Sequence, residues 1–251
     1  LVIIFYGALV FSLLTGVVGG VIKYDRGKLV ARGEFVHTGL LNQPPALLTN
    51  AASKLRGIHE SKQNAIPRNV TAMINRVMEL EDANPDFGEQ YKCPDIKYDR
   101  LFEADYEHNE SQREDETSDD SDDFDEIPLP CRGCDPGRLV PRKPRRYPGP
   151  VIHYGTIASA DQVMRNGVAR ESIRKKYGVL CFEMEAAGLM NDFPCLVVRG
   201  ICDYSDTHKH KIWQRYAAAT AAAYTRELLQ VVLKEDVESS EAAVKVLERG
   251  T

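Results

Sequence analysis

Three carboxylates in apolar company are the residues of this chain best suited to chemistry. Glu183, Glu185 and Asp203 stand in the stretch 179–206, VLCFEMEAAGLMNDFPCLVVRGICDYSD, among Cys, Phe, Met, Ala, Leu and Val. A carboxylate among apolar neighbours needs a partner or has a task, because burying its charge alone is costly. Burial raises a carboxyl pKa, so such a group can hold a proton near neutral pH and give it up as a general acid. A second, ionised carboxylate offers only acceptors and suits the hydroxyls of a diol. The same residues also fit a purely structural reading. In that reading Glu183 caps a helix or pairs with Arg199, and Asp203 caps the helix that follows.

Periodicity indicates the elements that must position them. Residues 151–160, VIHYGTIASA, read as a strand ending in small residues, and 161–178 as a turn followed by a basic amphipathic helix. VLCFEM reads as a second buried strand and EAAGLMND as a short helix. CLVVRGICD is nearly continuously apolar, the pattern of a strand covered on both faces. Trp213 to Leu233 form the last helix, whose AAATAAAY core combines high helix propensity with close packing. Upstream, Pro44-Pro45 open a helix carrying Ala46, Leu47, Leu48, Ala51, Ala52 and Leu55 at near-helical spacing. A second helix is expected from about Arg68 to Asp82, and short strands and turns over 21–39. Strands alternating with helices predict an α/β layer fold. Ligands collect at the carboxyl ends of strands in such folds. Three segments end there: 158–161, 183–185 and 202–206.

Composition bounds the remaining possibilities. With 251 residues the chain holds one large α/β domain or two small ones, and a net charge of −5 gives no reason to expect nucleic acid as a partner. Of the six cysteines, Cys181, Cys195 and Cys202 sit in apolar runs, which favours a reducing, cytoplasmic setting. Residues Leu1 to Ile22 carry no charge. They read either as a membrane-spanning helix, which would anchor the protein, or as one or two buried strands joined at Gly7 and Gly16. Between Glu103 and Glu126 stand thirteen acidic residues and one basic one, Arg113, and a proline-punctuated basic run follows. The pair is read as a disordered insertion over 103–149 within a domain spanning 1–235, with a charged tail at 236–251. Inside it, Cys131-Arg-Gly-Cys134 could hold half of a zinc site, with His108 and Cys93 as the nearby residues to complete it. The lone pair is more simply read as having no role. No metal is expected at the carboxylates.

The segments GTIASA from Gly155, FEMEAAG from Phe182 and RGICDYSD from Arg199 together resemble the nucleoside phosphorylase superfamily. That family includes purine and uridine phosphorylases and methylthioadenosine/adenosylhomocysteine nucleosidases. GGVIKYD, LFEADYEH, VIHYG, HKHKIW and YAAATAAAY add a likeness to its fungal, receptor-associated branch, and the resemblance runs over residues 16 to 233. It implies a three-layer α/β/α sandwich around a twisted mixed sheet and cleavage of the N-glycosidic bond of a purine nucleoside. It implies that Met184 and Glu185 contact the ribose and that Asp203 protonates or hydrogen-bonds the purine N7. Ser159 and Val163 then line the base pocket, where Val163 gives up the stacking an aromatic residue would offer. No cofactor is implied beyond phosphate or water as co-substrate, and a homodimer is expected. Residues 1–14 do not resemble the family's first strand and glycine-rich loop, and the chain opens on Leu1. The expectation is therefore a fold incomplete at the N-terminus, lacking the loops that supply the nucleophile. That leaves a second reading open: a catalytically inactive nucleoside-sensing or interaction module of a receptor-like protein.

Overall fold

The computed structural model describes residues 10–11, 20–31, 35–37, 41, 43–80, 82, 84–108, 131–143, 149–193 and 195–232. In chain order these form β1 (Val10–Phe11), β2 (Val21–Lys23), β3 (Gly27–Leu29), β4 (Phe35–His37), α1 (Ala46–Ser61), α2 (Ile66–Met78) and α3 (Phe87–Gln90). Then follow β5 (His153–Tyr154), β6 (Thr156–Ser159), α4 (Gly167–Tyr177), β7 (Val179–Glu183), α5 (Ala186–Leu189), β8 (Val198–Arg199) and α6 (Gln214–Val231). The fold is mixed α/β.

The central parallel sheet has the order β2-β6-β7. Its register sets three cross-strand rows: Val21–Ile157–Cys181, Ile22–Ala158–Phe182 and Lys23–Ser159–Glu183. Because side chains alternate along a strand, the first and third rows share a face and the second takes the other. Val21, Ile157 and Cys181 pack with Ala186, Met190, Cys195 and Val197. Ile22, Ala158 and Phe182 pack with Met164 and, through Ala169, Ile173 and Tyr177, with α4. Both faces are thus covered, which explains why these strands read as near-continuous apolar runs. The last row, Lys23–Ser159–Glu183, lies at the carboxyl ends of all three strands and is the polar edge of an otherwise apolar sheet.

A second sheet has the order β5-β1-β8, with β1 parallel to β5 and antiparallel to β8; β3 and β4 form a hairpin. The run 151–160 is therefore not one strand. It breaks at Gly155 into β5 and β6, which pair in different sheets. A Cβ on Gly155 would stand 2.6 Å from Leu180 Cδ1, so the crossing between sheets is tight where the chain switches partner. Similarly, 195–203 is buried at Cys195–Val198 as expected, yet only Val198–Arg199 forms a strand, because its partner β1 contributes two residues.

The helices follow their sequence signals closely. In α1 the buried Leu48, Ala51, Ala52 and Leu55 repeat at steps of three and four, and Pro45 occupies the cap. Helix α2 starts at Ile66, two residues before the expected Arg68, with Pro67 in the first turn, and ends at Met78 rather than near Asp82. Both pack on α6, whose small Ala217, Ala219, Ala221 and Ala223 are buried, as is Tyr224. The Asn166 side chain caps α4 by accepting from Ala169 N at 2.9 Å. Gly178 ends that helix in the left-handed region (φ 66°), a conformation open to glycine at little cost.

Two stretches of the insertion expected over 103–149 are described and packed. Phe102 and Leu139 form an isolated β-bridge, with Glu103 N donating to Arg138 O and Val140 N to Leu101 O, each at 2.9 Å. Phe102, Cys131 and Cys134 are buried against Tyr106 and Leu139. The flanks carry apolar residues to bury. That acidic middle (109–130), the centre of the basic run (144–148) and the tail from 233 lie outside the described residues. Gly167 fastens this unit to α4: a Cβ there would stand 2.4 Å from Ala104 O. Within Leu1–Ile22, β1 and the start of β2 are strand. Among the described residues, no helix is long and apolar enough to cross a membrane.

Candidate active site at the strand ends

The end of the parallel sheet brings Ser159 and Glu183 side by side in register. Both turn toward the start of α5. Glu183 Oε2 accepts from the backbone N of Glu185 at 2.9 Å and of Ala186 at 2.8 Å, and Ser159 Oγ accepts from Ala187 N at 3.0 Å. Three successive amides at a helix start are satisfied by two side chains of the sheet. Glu183 is buried, and that burial pushes its carboxyl above the usual carboxylate range. The Ser159 hydroxyl, the two amides and Arg199 pull the other way without winning. The capping alternative of the sequence therefore describes what Glu183 does here.

Because Glu183 fixes the turn after β7, Met184 and Glu185 point outward. Met184 is exposed, and Glu185 is about half exposed, with Oε2 folded back to accept from Met184 N at 3.2 Å. Arg199 Nη1, on β8, lies 3.9 Å from Glu185 Oε2. Arg199 thus pairs loosely with the accessible Glu185 and acts weakly on the buried Glu183. Ser159 stands at the expected strand end but is fully buried; Val163, four residues on, is exposed.

Asp203 lies beyond β8 in a loop whose shape the sequence determines. Its Oδ1 accepts from Ser205 N at 2.7 Å, closing an Asx turn, and Ser205 sits in the left-handed region (φ 54°). Its Oδ2 has Cys202 Sγ and Lys209 Nζ each at 3.5 Å. The carboxylate is largely but not wholly buried. On β7, burial pushes the Cys181 thiol up to about 12, with Arg199, Glu183 and Asp203 contributing less. Glu183 thus ends β7 of the parallel sheet with Glu185 just beyond it, and Asp203 follows β8 of the second sheet, with Arg199 of β8 reaching toward Glu185.

Sequence reasoning missed the clasp that holds the Asp203 loop. Arg170 of α4 donates to Tyr204 O at 2.6 Å and to Asp206 Oδ2 at 3.2 Å, and Asp206 Oδ1 accepts from His208 N at 2.9 Å. Arg142, in the basic run, bonds Asp99 and the Tyr204 hydroxyl. Thr207 Oγ1 accepts from His108 N at 2.8 Å. Apart from the local Asp206–His208 contact, each of these bonds spans more than thirty residues of sequence, so no local pattern announces them. On the other flank, Lys23 Nζ pairs with Asp161 at 2.6 Å, and Asp161 N donates to Asp25 Oδ2. A cleft lined by Glu89, Tyr98, Lys211 and Arg215 contains none of the strand-end residues.

Against known proteins, the long match is to a nucleotide-binding leucine-rich repeat (NLR)-like protein of Hyaloscypha variabilis. It is 38% identical over 226 residues, 90% of this chain, and the chain spans 20% of that protein's length. Shorter matches cover 88 residues, 33% of the chain. One is to an ATP nucleosidase Cap17 of Escherichia coli, 33% identical over 17% of its length. Another is to a 5′-methylthioadenosine/S-adenosylhomocysteine nucleosidase of Mycobacterium bovis, 28% identical over 34% of its length. The chain is similar to nucleosidases over a third of its length. These relatives point to the nucleoside phosphorylase/nucleosidase-like superfamily for that part. No protein-family model and no solved structure matches the chain.

Proposed function

We propose that the strand-end cluster is a purine nucleoside site and that its chemistry is cleavage of the N-glycosidic bond. The observation that carries this reading is the division of labour between the carboxylates at and after the ends of β7 and β8. Glu183 is buried and committed to the backbone, while Glu185 and Asp203 keep oxygens within reach of a ligand. Glu185, beside Arg199, is placed to accept from the 2′- and 3′-hydroxyls, and the exposed Met184 covers the sugar's apolar face. As the bond breaks, the sugar gains oxocarbenium character and the base gains negative charge. A nearby carboxylate stabilises the first, and a proton or hydrogen bond from Asp203 to N7 stabilises the second. Lys209, on the same carboxylate, adds positive charge where the base leaves. Val163 lines the base pocket from its exposed side, and the buried Ser159 lines it from beneath. The names of the nucleosidase relatives, which act on adenine compounds by their titles, support the purine class. In this reading the sheet belongs to a three-layer α/β/α sandwich. The protein is cytoplasmic and dimeric, and water or phosphate is the second substrate.

A second reading, a nucleoside-sensing module without turnover, is favoured by the long match to an NLR-like protein. Both readings require Glu185 at the ribose. Calorimetric titration with adenosine is expected to show binding that weakens by about 1.5–3 kcal/mol in Glu185→Ala, the worth of hydrogen bonds to a charged group. Unchanged affinity in that variant would remove the ribose role.

A further inference from the structure

The strand-end site leaves unused a second group of chemistry-bearing residues, at the edge of the packed insertion. The ligand atoms of His108, Cys131 and Cys134 all lie within 4.8 Å of one another. Both cysteines are buried, and neither forms a disulfide. Cys131 sits in the left-handed region (φ 58°), its carbonyl accepts from Cys134 N at 3.3 Å and from Arg100 Nη1 at 2.9 Å, and the turn so formed turns both thiols inward. Among the described residues, His108 Nδ1 and both ring nitrogens of His208 are buried without a hydrogen-bond partner. Buried polar atoms are normally satisfied, so several unsatisfied nitrogens beside two buried thiols are a pattern that needs a cause. The His208 ring stacks on Phe102 with centroids 4.2 Å apart and meets the His108 ring edge-on at 5.4 Å, with its Nδ1 3.8 Å from Asp206 Oδ1.

We infer that His108, Cys131 and Cys134 bind a structural zinc ion, the fourth position being open to His208, whose ring meets that of His108 edge-on although its nitrogens lie outside the group of three. Two thiolates and imidazole nitrogens are a donor set that selects zinc over harder cations. On binding, the two thiols release their protons to solvent, and two thiolates balance the charge of one Zn²⁺. The site's position gives it a task. His108 N is bonded to Thr207 and His208 lies in the loop carrying Asp203, so the ion would staple both ends of the insertion to that loop. Cys93, the other candidate raised by the sequence, is exposed and lies outside the group.

Purified protein, prepared under reducing conditions and supplied with ZnCl₂, is expected to hold about one zinc per chain by mass spectrometry of the metal, as a closed structural site does. Co²⁺ in its place is expected to show the intense visible bands of tetrahedral thiolate coordination. Both signals should be lost in the Cys131→Ser/Cys134→Ser double variant, weaken at least ten-fold in affinity in the milder His108→Ala, and persist in Cys93→Ser. Three results would each overturn the site: zinc below stoichiometry after reconstitution, cobalt bands unchanged in His108→Ala, or a Cys131–Cys134 disulfide recovered from reduced, zinc-supplied protein.

Discussion

Asp203→Ala is expected to lower the rate of base release by about 10²–10⁴-fold, the contribution typical of a positioned general acid. The effect should fall on turnover rather than on binding, because the proton or hydrogen bond to N7 matters most as negative charge develops on the base. Loss of fold would not explain such a result. Asp203 makes one backbone hydrogen bond, to Ser205 N, and its removal costs about 1 kcal/mol. The loop remains held by Arg170, Arg142 and Thr207, none of which bonds Asp203. Asp203→Asn separates the two roles open to the side chain. The amide keeps the oxygen that accepts from Ser205 and can donate to N7, but it cannot transfer a proton. Activity close to wild type in the asparagine variant would mean that a hydrogen bond suffices, whereas a loss equal to that of alanine would require proton transfer. Base release unaffected by Asp203→Ala would contradict the assignment outright.

Glu183→Ala should act on stability instead. Two amides at the start of α5, one of them in the fully buried Ala186, lose their acceptor, and each unsatisfied group costs about 1–3 kcal/mol. A loss of about 2–4 kcal/mol in chemical denaturation is expected, a large fraction of a typical domain's stability. Glu183→Gln keeps one oxygen facing those amides and should stay within about 1 kcal/mol of wild type. Their pH dependence differs as well. The folded carboxyl has its pKa raised by burial, so the folded state binds the proton more tightly than the unfolded state does. Its contribution to stability is therefore fully present below the unfolded pKa, near about 4.3, and is lost as pH rises through the folded value. Glutamine abolishes that loss, so the variant should show a flatter stability profile over this window. A glutamine variant as unstable as alanine, or an unchanged slope, would refute the capping role.

These two residues show what the sequence made legible. Carboxylates in apolar runs stood out in the sequence, and the strand–helix alternation anticipated that Glu183 ends a strand and Asp203 follows one, because both signals are local. The capping alternative for Glu183 was visible too, since an acid two residues before EAAG sits where a helix begins. Helices α1 and α2 were legible from steps of three and four, α4 from its basic amphipathic pattern and α6 from the helix propensity of AAATAAAY. Less legible were features set by distant partners. Gly155 breaks an apparently continuous strand because two different sheets claim its halves. Arg199 and Lys209 acquire roles through charges on other segments. Arg142 reads as part of a solvated basic run, yet it bonds Asp99 and Tyr204, which lie 43 and 62 residues away. The composition that suggests an insertion over 103–149 is dominated by its acidic centre and conceals the apolar flanks around Phe102 and Leu139.

The most direct measurement is of free base. Purified protein is incubated with adenosine, inosine or methylthioadenosine, with and without phosphate, and the products are separated by chromatography. Release of adenine or hypoxanthine together with free ribose or a ribose phosphate, abolished by Asp203→Ala, is the predicted result. Absence of base from every nucleoside under both conditions would contradict N-glycosidic cleavage by this chain.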